Sequence, residues 1–173
     1  MKKVMLITPP YHSGVVESAG TWLNLSFVYI AGSLRNAGYD VEIYDAMSYF
    51  HTYDEIVKRI ETHKPDVVAT TAITATINDC LELCRLSKKI NPDIATVIGN
   101  VHPTFMWEEI LKEHHGYVDY IVKGEGEITL PELLDCHFSK GDLSKVKSIA
   151  FWAENRAVAT PSIEYISDLD SIE

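Results

Sequence analysis

Asp66-Val67-Val68-Ala69-Thr70-Thr71, then Ile77 to Ile90, then Ile94-Ala95-Thr96-Val97-Ile98 decide the fold of this chain. The outer two segments are short, apolar and β-branched. Pro65 precedes the first, Asn91-Pro92-Asp93 precedes the second, and Gly99-Asn100 ends it. That spelling predicts two buried strands, and the segment between them reads as a helix. The same alternation continues in both directions. Toward the N-terminus, Val4-Met5-Leu6-Ile7 is a strand ended by Pro9-Pro10, and a loop runs to about Thr21. Leu25 to Asn36 carries apolar residues at helical spacing, and Gly38 stops it as a C-terminal cap. Val41 to Tyr44 is a strand. Thr52-Tyr53-Asp54-Glu55 then spells a capping box that opens a helix to about His63. Toward the C-terminus, Phe105 to His114 reads as a helix, Val118 to Val122 as a strand, and Thr129 to about Ser139 as a helix.

Five strand–helix units in this order predict an α/β fold: a doubly wound five-stranded parallel sheet, filling residues 1–140. The pattern changes after Gly141. Val146 to Trp152 and Ala157 to Thr160 read as a C-terminal β-hairpin around Glu154-Asn155-Arg156. The polar remainder of residues 141–173 reads as a connector toward a further domain. Ligands of doubly wound sheets bind outside the carboxyl ends of the strands, near the switch in strand order. The candidate site is therefore the loops Thr8 to Gly14, Asp45 to Met47, Thr70 to Thr74, Gly99 to Thr104, and Gly124 to Glu127.

Composition narrows the chemistry. The 173 residues are 46% hydrophobic and 23% charged, which suits one folded domain and excludes wholesale disorder. A formal net charge of -10 disfavours nucleic acid and anionic membrane as partners, since both attract clustered Lys and Arg. No apolar run approaches the ~18 residues of a membrane span. The three cysteines suit a reducing compartment, so the expected location is cytoplasmic.

Motifs exclude several occupants of such a sheet. The loop after the first strand, Thr8-Pro9-Pro10-Tyr11-His12-Ser13-Gly14, lacks the G-x-G-x-x-G of dinucleotide enzymes, and no phosphate-binding G-x-x-x-x-G-K-[ST] occurs. The third strand ends in Thr70-Thr71 where a phosphoacceptor receiver would need Asp. Cys80 and Cys84 would need a third Cys at Ser87 to form a C-x-x-x-C-x-x-C cluster motif, so they read as core thiols. Thr70, Thr71, Thr74 and Thr76 offer uncharged hydroxyls, which favour hydrogen bonding to a neutral or amide-bearing ligand over acid–base catalysis. Gly99, Gly124 and Gly126 sit at strand ends, where they serve either tight turns or the close approach of a large flat ligand.

Read in order, Pro9-Pro10-Tyr11-His12-Ser13-Gly14, Tyr29-Ile30-Ala31-Gly32-Ser33-Leu34, Tyr44-Asp45-Ala46, Pro65-Asp66-Val67-Val68, Gly99-Asn100-Val101-His102-Pro103-Thr104 and Lys123-Gly124-Glu125-Gly126-Glu127 form a recognisable series. The series resembles the N-terminal cobalamin-binding domain of radical S-adenosylmethionine enzymes. The Tyr-His-Ser-Gly loop, Asp45-Ala46-Met47, Thr71-Ala72-Ile73-Thr74 and Thr104-Phe105-Met106 favour the branch of anaerobic magnesium-protoporphyrin IX monomethyl ester oxidative cyclases. Ala159-Thr160-Pro161 and Asp168-Leu169-Asp170 resemble the connector before that family's cluster domain.

The resemblance implies a Rossmann-like, flavodoxin-like cobalamin-binding fold with the cofactor against the strand ends. It implies cofactor contacts at Tyr11, His12, Ser13, Gly14, Thr71, Ile73, Thr74, Gly99, Asn100, His102, Gly124, Glu125 and Gly126. Related domains supply a His to cobalt from D-x-H-x-x-G. Here His12 is the corresponding candidate metal ligand, with Pro10 in place of the Asp and Gly14 one residue early. Related domains also carry Gly-Gly after strand four, and here the second is Asn100. S-adenosylmethionine and a 4Fe-4S cluster are expected only in the absent part of a longer parent. That parent would be an oxidoreductase closing the isocyclic ring of (bacterio)chlorophyll on a magnesium-porphyrin, with oxygen from water. No catalytic residue is expected in this fragment. A module of a radical methyltransferase, or of another cobalamin-dependent radical enzyme, is the alternative. A sensing or interaction domain that has lost cobalamin is a further one.

Overall fold

The structure, a computed structural model, describes residues 1–11 and 24–162. In chain order the elements are β1 (Lys3–Ile7), α1 (Leu25–Asn36), β2 (Asp40–Tyr44), α2 (Tyr53–His63), β3 (Val67–Thr71), α3 (Ile77–Ile90), β4 (Ala95–Gly99), α4 (Val101–His114), β5 (Tyr120–Val122) and α5 (Gly126–Ser139). A 3-10 turn (Leu143–Lys145), β6 (Ile149–Ala153) and β7 (Arg156–Ala159) follow. The strands form one seven-stranded sheet in the order β2-β1-β3-β4-β5-β6-β7. The first five are mutually parallel, as in Ile7↔Thr70 and Thr70↔Ile98. Strand order reverses between β1 and β3, which opens a crevice at their carboxyl ends.

Both faces of the parallel strands are covered, which is why β1 is a continuous apolar run with Val4 to Ile7 wholly buried. Alternation sorts its neighbours. Leu6, Ala69, Val97 and Val122 face α1 and α5, where they pack with Phe27, Ala31, Leu34, Leu130 and Leu133. Met5, Ile7 and Val68 pack with α2 and α3 through Ile56, Ile60 and Leu83, while Ile98 and Ile121 meet α3 and α4 through Cys84, Ile110 and Leu111. Cys80 and Cys84 are both buried in that second layer, and burial pushes the Cys80 thiol up to about 12.

Local chemistry sets most helix ends. The Thr52 capping box forms: Thr52 N–H donates to Glu55 Oε2 at 2.7 Å, and Glu55 N–H donates to Thr52 Oγ1 at 3.4 Å. The Thr52 N–H bond, with a second from the Thr52 hydroxyl to Glu55 Oε2 at 2.9 Å, holds the exposed Glu55 carboxyl below its ordinary value. Two helices begin earlier than expected. α4 starts at Val101 instead of Phe105, because Pro103 occupies the first turn, where a missing N–H costs no helical bond. A kink at Met106 (φ -108°, ψ 21°) marks the expected start. α5 starts at Gly126 instead of Thr129, preceded by Glu125, which makes no side-chain capping bond and so left no signature to read.

The C-terminal hairpin is present and continues the main sheet. β6 runs antiparallel to β5, pairing Val122↔Ile149 and Tyr120↔Phe151, and β7 pairs with β6. Glu154 and Asn155 turn the hairpin with φ of 51° and 59°, the left-handed pair that matches strand twist in tight hairpins.

Asp66 ties the start of β1 to the start of β3: it accepts from Lys2 Nζ at 2.7 Å and from Lys3 N–H at 2.8 Å. Burial acts to raise this carboxyl, but the two donors and the nearby positive charge outweigh it and hold it below the ordinary aspartate value. A depressed folded value contributes stability above the unfolded value of about 3.9, and that stability is lost as pH falls through the folded value. Thermal melts from about pH 7 to 3 should therefore show a steeper acid loss in the wild-type chain than in Asp66→Asn. Equal slopes would remove Asp66 from the acid response.

Candidate functional site

A cavity of about 210 Å3 lies at the carboxyl ends of β1, β3, β4 and β5, between the sheet and the α1/α5 pair. The inward-facing strand residues Leu6, Ala69, Val97 and Val122 form its floor. Phe27 and Ile30 from α1 and Leu130 from α5 form its walls. Polar groups gather at the rim: Ser26, Thr71, Asn100, Glu125 and Glu127. Thr70 also lines the cavity, but its hydroxyl is committed to the Ile7 carbonyl at 2.8 Å.

Two glycines shape the opening. Gly124 holds φ +73°, a backbone state that side-chain-bearing residues rarely adopt. Gly126 opens α5, and a Cβ there would stand 3.1 Å from Ile30 Cδ1, so the missing side chain sets how closely α1 and α5 approach.

A chain of hydrogen bonds fixes the rim. Asn100 Nδ2 donates to Thr71 Oγ1 at 2.8 Å, joining the β3 and β4 loops. Thr104 Oγ1 donates to the Asn100 carbonyl at 2.7 Å, and Gly124 N–H donates to Thr104 Oγ1 at 3.0 Å, carrying the chain to the β5 loop. Asn100 also accepts from Val101 N–H at 2.6 Å and so caps α4. Its backbone sits at φ 85°, ψ -170°, a region populated almost solely by glycine. The rim bonds hold a strained residue in place.

Of the residues expected at the site, Thr71, Gly99, Asn100, Gly124, Glu125 and Gly126 come together around the cavity. Ile73, Thr74 and His102 form a second group on the same sheet edge, beside α3 and α4. There His102 Nδ1 lies 3.2 Å from Thr74 Oγ1, and Ile73 N–H donates to Thr76 Oγ1 at 3.1 Å. Tyr11 follows β1, with its N–H donated to the Pro9 carbonyl at 2.8 Å. His12, Ser13 and Gly14 lie outside the described residues. Ser26, Phe27, Ile30 and Leu130 were not anticipated. In sequence they are ordinary helix-face residues, and nothing distinguishes a cavity wall from a core face.

Among the described residues no cluster of His, Cys, Asp and Glu could hold a metal ion. The arrangement is an apolar slot with a hydroxyl and amide rim. It suits a planar, largely neutral group inserted edge-on, with polar substituents left at the mouth.

Comparison with known proteins follows the same line. The B12 binding domain family matches residues 11–134. An anaerobic magnesium-protoporphyrin IX monomethyl ester cyclase of Rubrivivax gelatinosus is 41% identical over 175 residues, covering 98% of this chain and 31% of the relative. An uncharacterized methyltransferase of Pyrococcus horikoshii is 31% identical over 172 residues, covering 98% of this chain and 37% of the relative. The chain thus spans about a third of the length of these relatives. Among solved structures, the cobalamin-dependent S-adenosylmethionine radical enzyme OxsB, with aqua-cobalamin and S-adenosylmethionine bound, superposes with a TM-score of 0.80. It shares 22% identity, over 95% of this chain and 23% of that one, and so speaks to the fold.

Proposed function

The chain belongs to the B12 binding domain family, and from that premise we propose that it is the cobalamin-holding module of an anaerobic magnesium-protoporphyrin IX monomethyl ester cyclase. The observation that carries the cofactor half of this reading is the cavity at the strand-order switch. Its 210 Å3 and apolar lining fit one bicyclic aromatic base, the end of cobalamin's nucleotide tail, and are too small for the whole cofactor. Leu6, Ala69, Val97 and Val122 would contact the base and exclude water. Thr71 and Asn100 would meet the polar ribose and phosphate side at the rim, with Gly99 and Gly124 to Gly126 giving them room. The corrin would then lie over the strand ends, where Tyr11 to Gly14, Ile73, Thr74 and His102 would border it. Cobalamin, when bound, supplies a cobalt centre for one-electron or group-transfer chemistry.

Identity of 41% over 98% of this chain supports the cyclase as parent. The parent would carry the cluster domain and the magnesium-porphyrin substrate. Residues 1–140 would be the cofactor-holding unit, and residues 141–173 the hairpin and connector. The relative from Pyrococcus horikoshii supports a second reading, a module of a radical methyltransferase. The chain's charge of -10 supports a protein that does not bind nucleic acid. Among the described residues no helix is long and apolar enough to cross a membrane. We place the protein in the cytoplasm, in keeping with three free cysteines.

Gel filtration tests the cofactor assignment directly. The chain, incubated with hydroxocobalamin under reducing, anaerobic conditions, should co-elute with the cofactor's visible absorbance. Elution of all the colour at small-molecule volume would defeat the reading.

A further inference from the structure

Every other histidine among the described residues is engaged elsewhere. His63 pairs with Glu42 at 2.8 Å and His114 with the Tyr117 hydroxyl at 2.7 Å. His137 pairs with the Tyr120 hydroxyl at 2.8 Å, and His115 lies 3.1 Å from the Leu111 carbonyl. His51 is stacked against Tyr44 and Tyr49 beside β2. His102 differs. It stands in the first turn of α4, at the carboxyl edge of the sheet, two residues beyond the cavity-lining Asn100. Its N–H donates to the Ala72 carbonyl at 3.2 Å, and the buried Pro103 follows it, so its backbone is fixed to the end of β3. Its Nδ1 meets Thr74 Oγ1 at 3.2 Å.

The Thr74 hydroxyl can accept from a protonated Nδ1 or donate to a bare one; in the tautomer with the proton on Nδ1, Nε2 carries a free lone pair. That is the usual preparation of a metal-binding imidazole, whose second nitrogen is oriented by a neighbour. Around it Ile73, Val101 and Phe105 are 50%, 59% and 76% exposed, an uncovered apolar collar of the kind that marks a binding surface. The methyl-bearing face of a corrin would cover such a collar.

We propose that His102 is the cobalt ligand of this domain, donating Nε2 to the metal on the corrin face turned toward the sheet edge, with Thr74 as its positioning residue. The proposal rests on the cobalamin reading above. It assigns the donor to the start of α4 and not to His12.

Electron paramagnetic resonance of the bound Co(II) form tests it. The chain is prepared with uniform 15N labelling and loaded with ordinary, unlabelled cobalamin, so that a protein nitrogen on cobalt splits the lines into doublets and a cofactor nitrogen into triplets. Doublets are expected. In His102→Ala and His102→Gln they should vanish while cobalamin still co-elutes with the chain, which also shows that the variants are folded. In His12→Ala they should persist. Doublets that survive both His102 substitutions, or disappear in His12→Ala, would overturn the proposal, as would triplets or unsplit lines in the wild-type chain. Failure of the wild-type chain to retain cobalamin at all is a different result, read on the column, and would overturn the underlying reading.

Discussion

Replacing Gly126 with leucine should lower cobalamin affinity at least ~100-fold, close to 3 kcal/mol of binding free energy, while leaving the domain folded. Even a single added carbon at this position would sit 3.1 Å from Ile30 Cδ1, and Ile30 is a wall of the cavity. An alanine asks the tip of a flexible side chain to yield a few tenths of an ångström, and its effect should be small. A leucine has nowhere to go except the slot between α1 and α5. The backbone does not object: Gly126 has no positive φ and stands at the first position of a helix. Removing a glycine from a helix gains up to ~1 kcal/mol, which partly offsets an overpacking cost of ~1–3 kcal/mol. Titration with hydroxocobalamin, beside a denaturation curve for each variant, separates the two effects. A leucine variant that binds within about tenfold of the wild type would show that the cavity is not where the cofactor enters.

Asn100 carries the second large effect, and here the two smallest substitutions should differ sharply. Its backbone conformation costs a non-glycine residue ~1–3 kcal/mol. Glycine relieves that strain but forfeits the side-chain bonds to Thr71 and Val101, each worth ~0.5–1.5 kcal/mol. Asn100→Gly should therefore be neutral or modestly stabilising. Asn100→Ala keeps the strain and loses the same bonds, so it should destabilise by ~2 kcal/mol. Urea denaturation of the pair reads the difference. Equal stabilities would mean that the backbone at residue 100 carries no strain. Because Thr104 and Gly124 are linked to the Asn100 carbonyl, the alanine variant should also loosen the β5 side of the rim.

The elements most faithfully legible in the sequence are those set by neighbours in the chain. α3 lies where expected at both ends, between Ile77 and Ile90, and the Thr52–Glu55 box forms as spelled. α4 and α5 begin ahead of the expected Phe105 and Thr129, with Pro103 and Gly126 each inside a first helical turn, where they are tolerated. The pairing of β6 with β5 is a long-range contact that no local pattern encodes. The rim of the site was legible because glycines and hydroxyls stand out at strand ends. Its walls were not, because Phe27, Ile30 and Leu130 differ from core residues only in what fails to fill the space beside them.

That unfilled space lies on one face of the sheet only. On the opposite face Met5, Ile7, Leu83, Ile98 and Ile121 are wholly buried. An apolar void leaves its lining short of contacts that a filled core would have. With the nucleotide base as occupant, the cofactor becomes in effect one more core side chain, supplied from outside the polypeptide. Loading and folding are then linked by mass action: the concentration of cobalamin sets how much of the population has a complete interior.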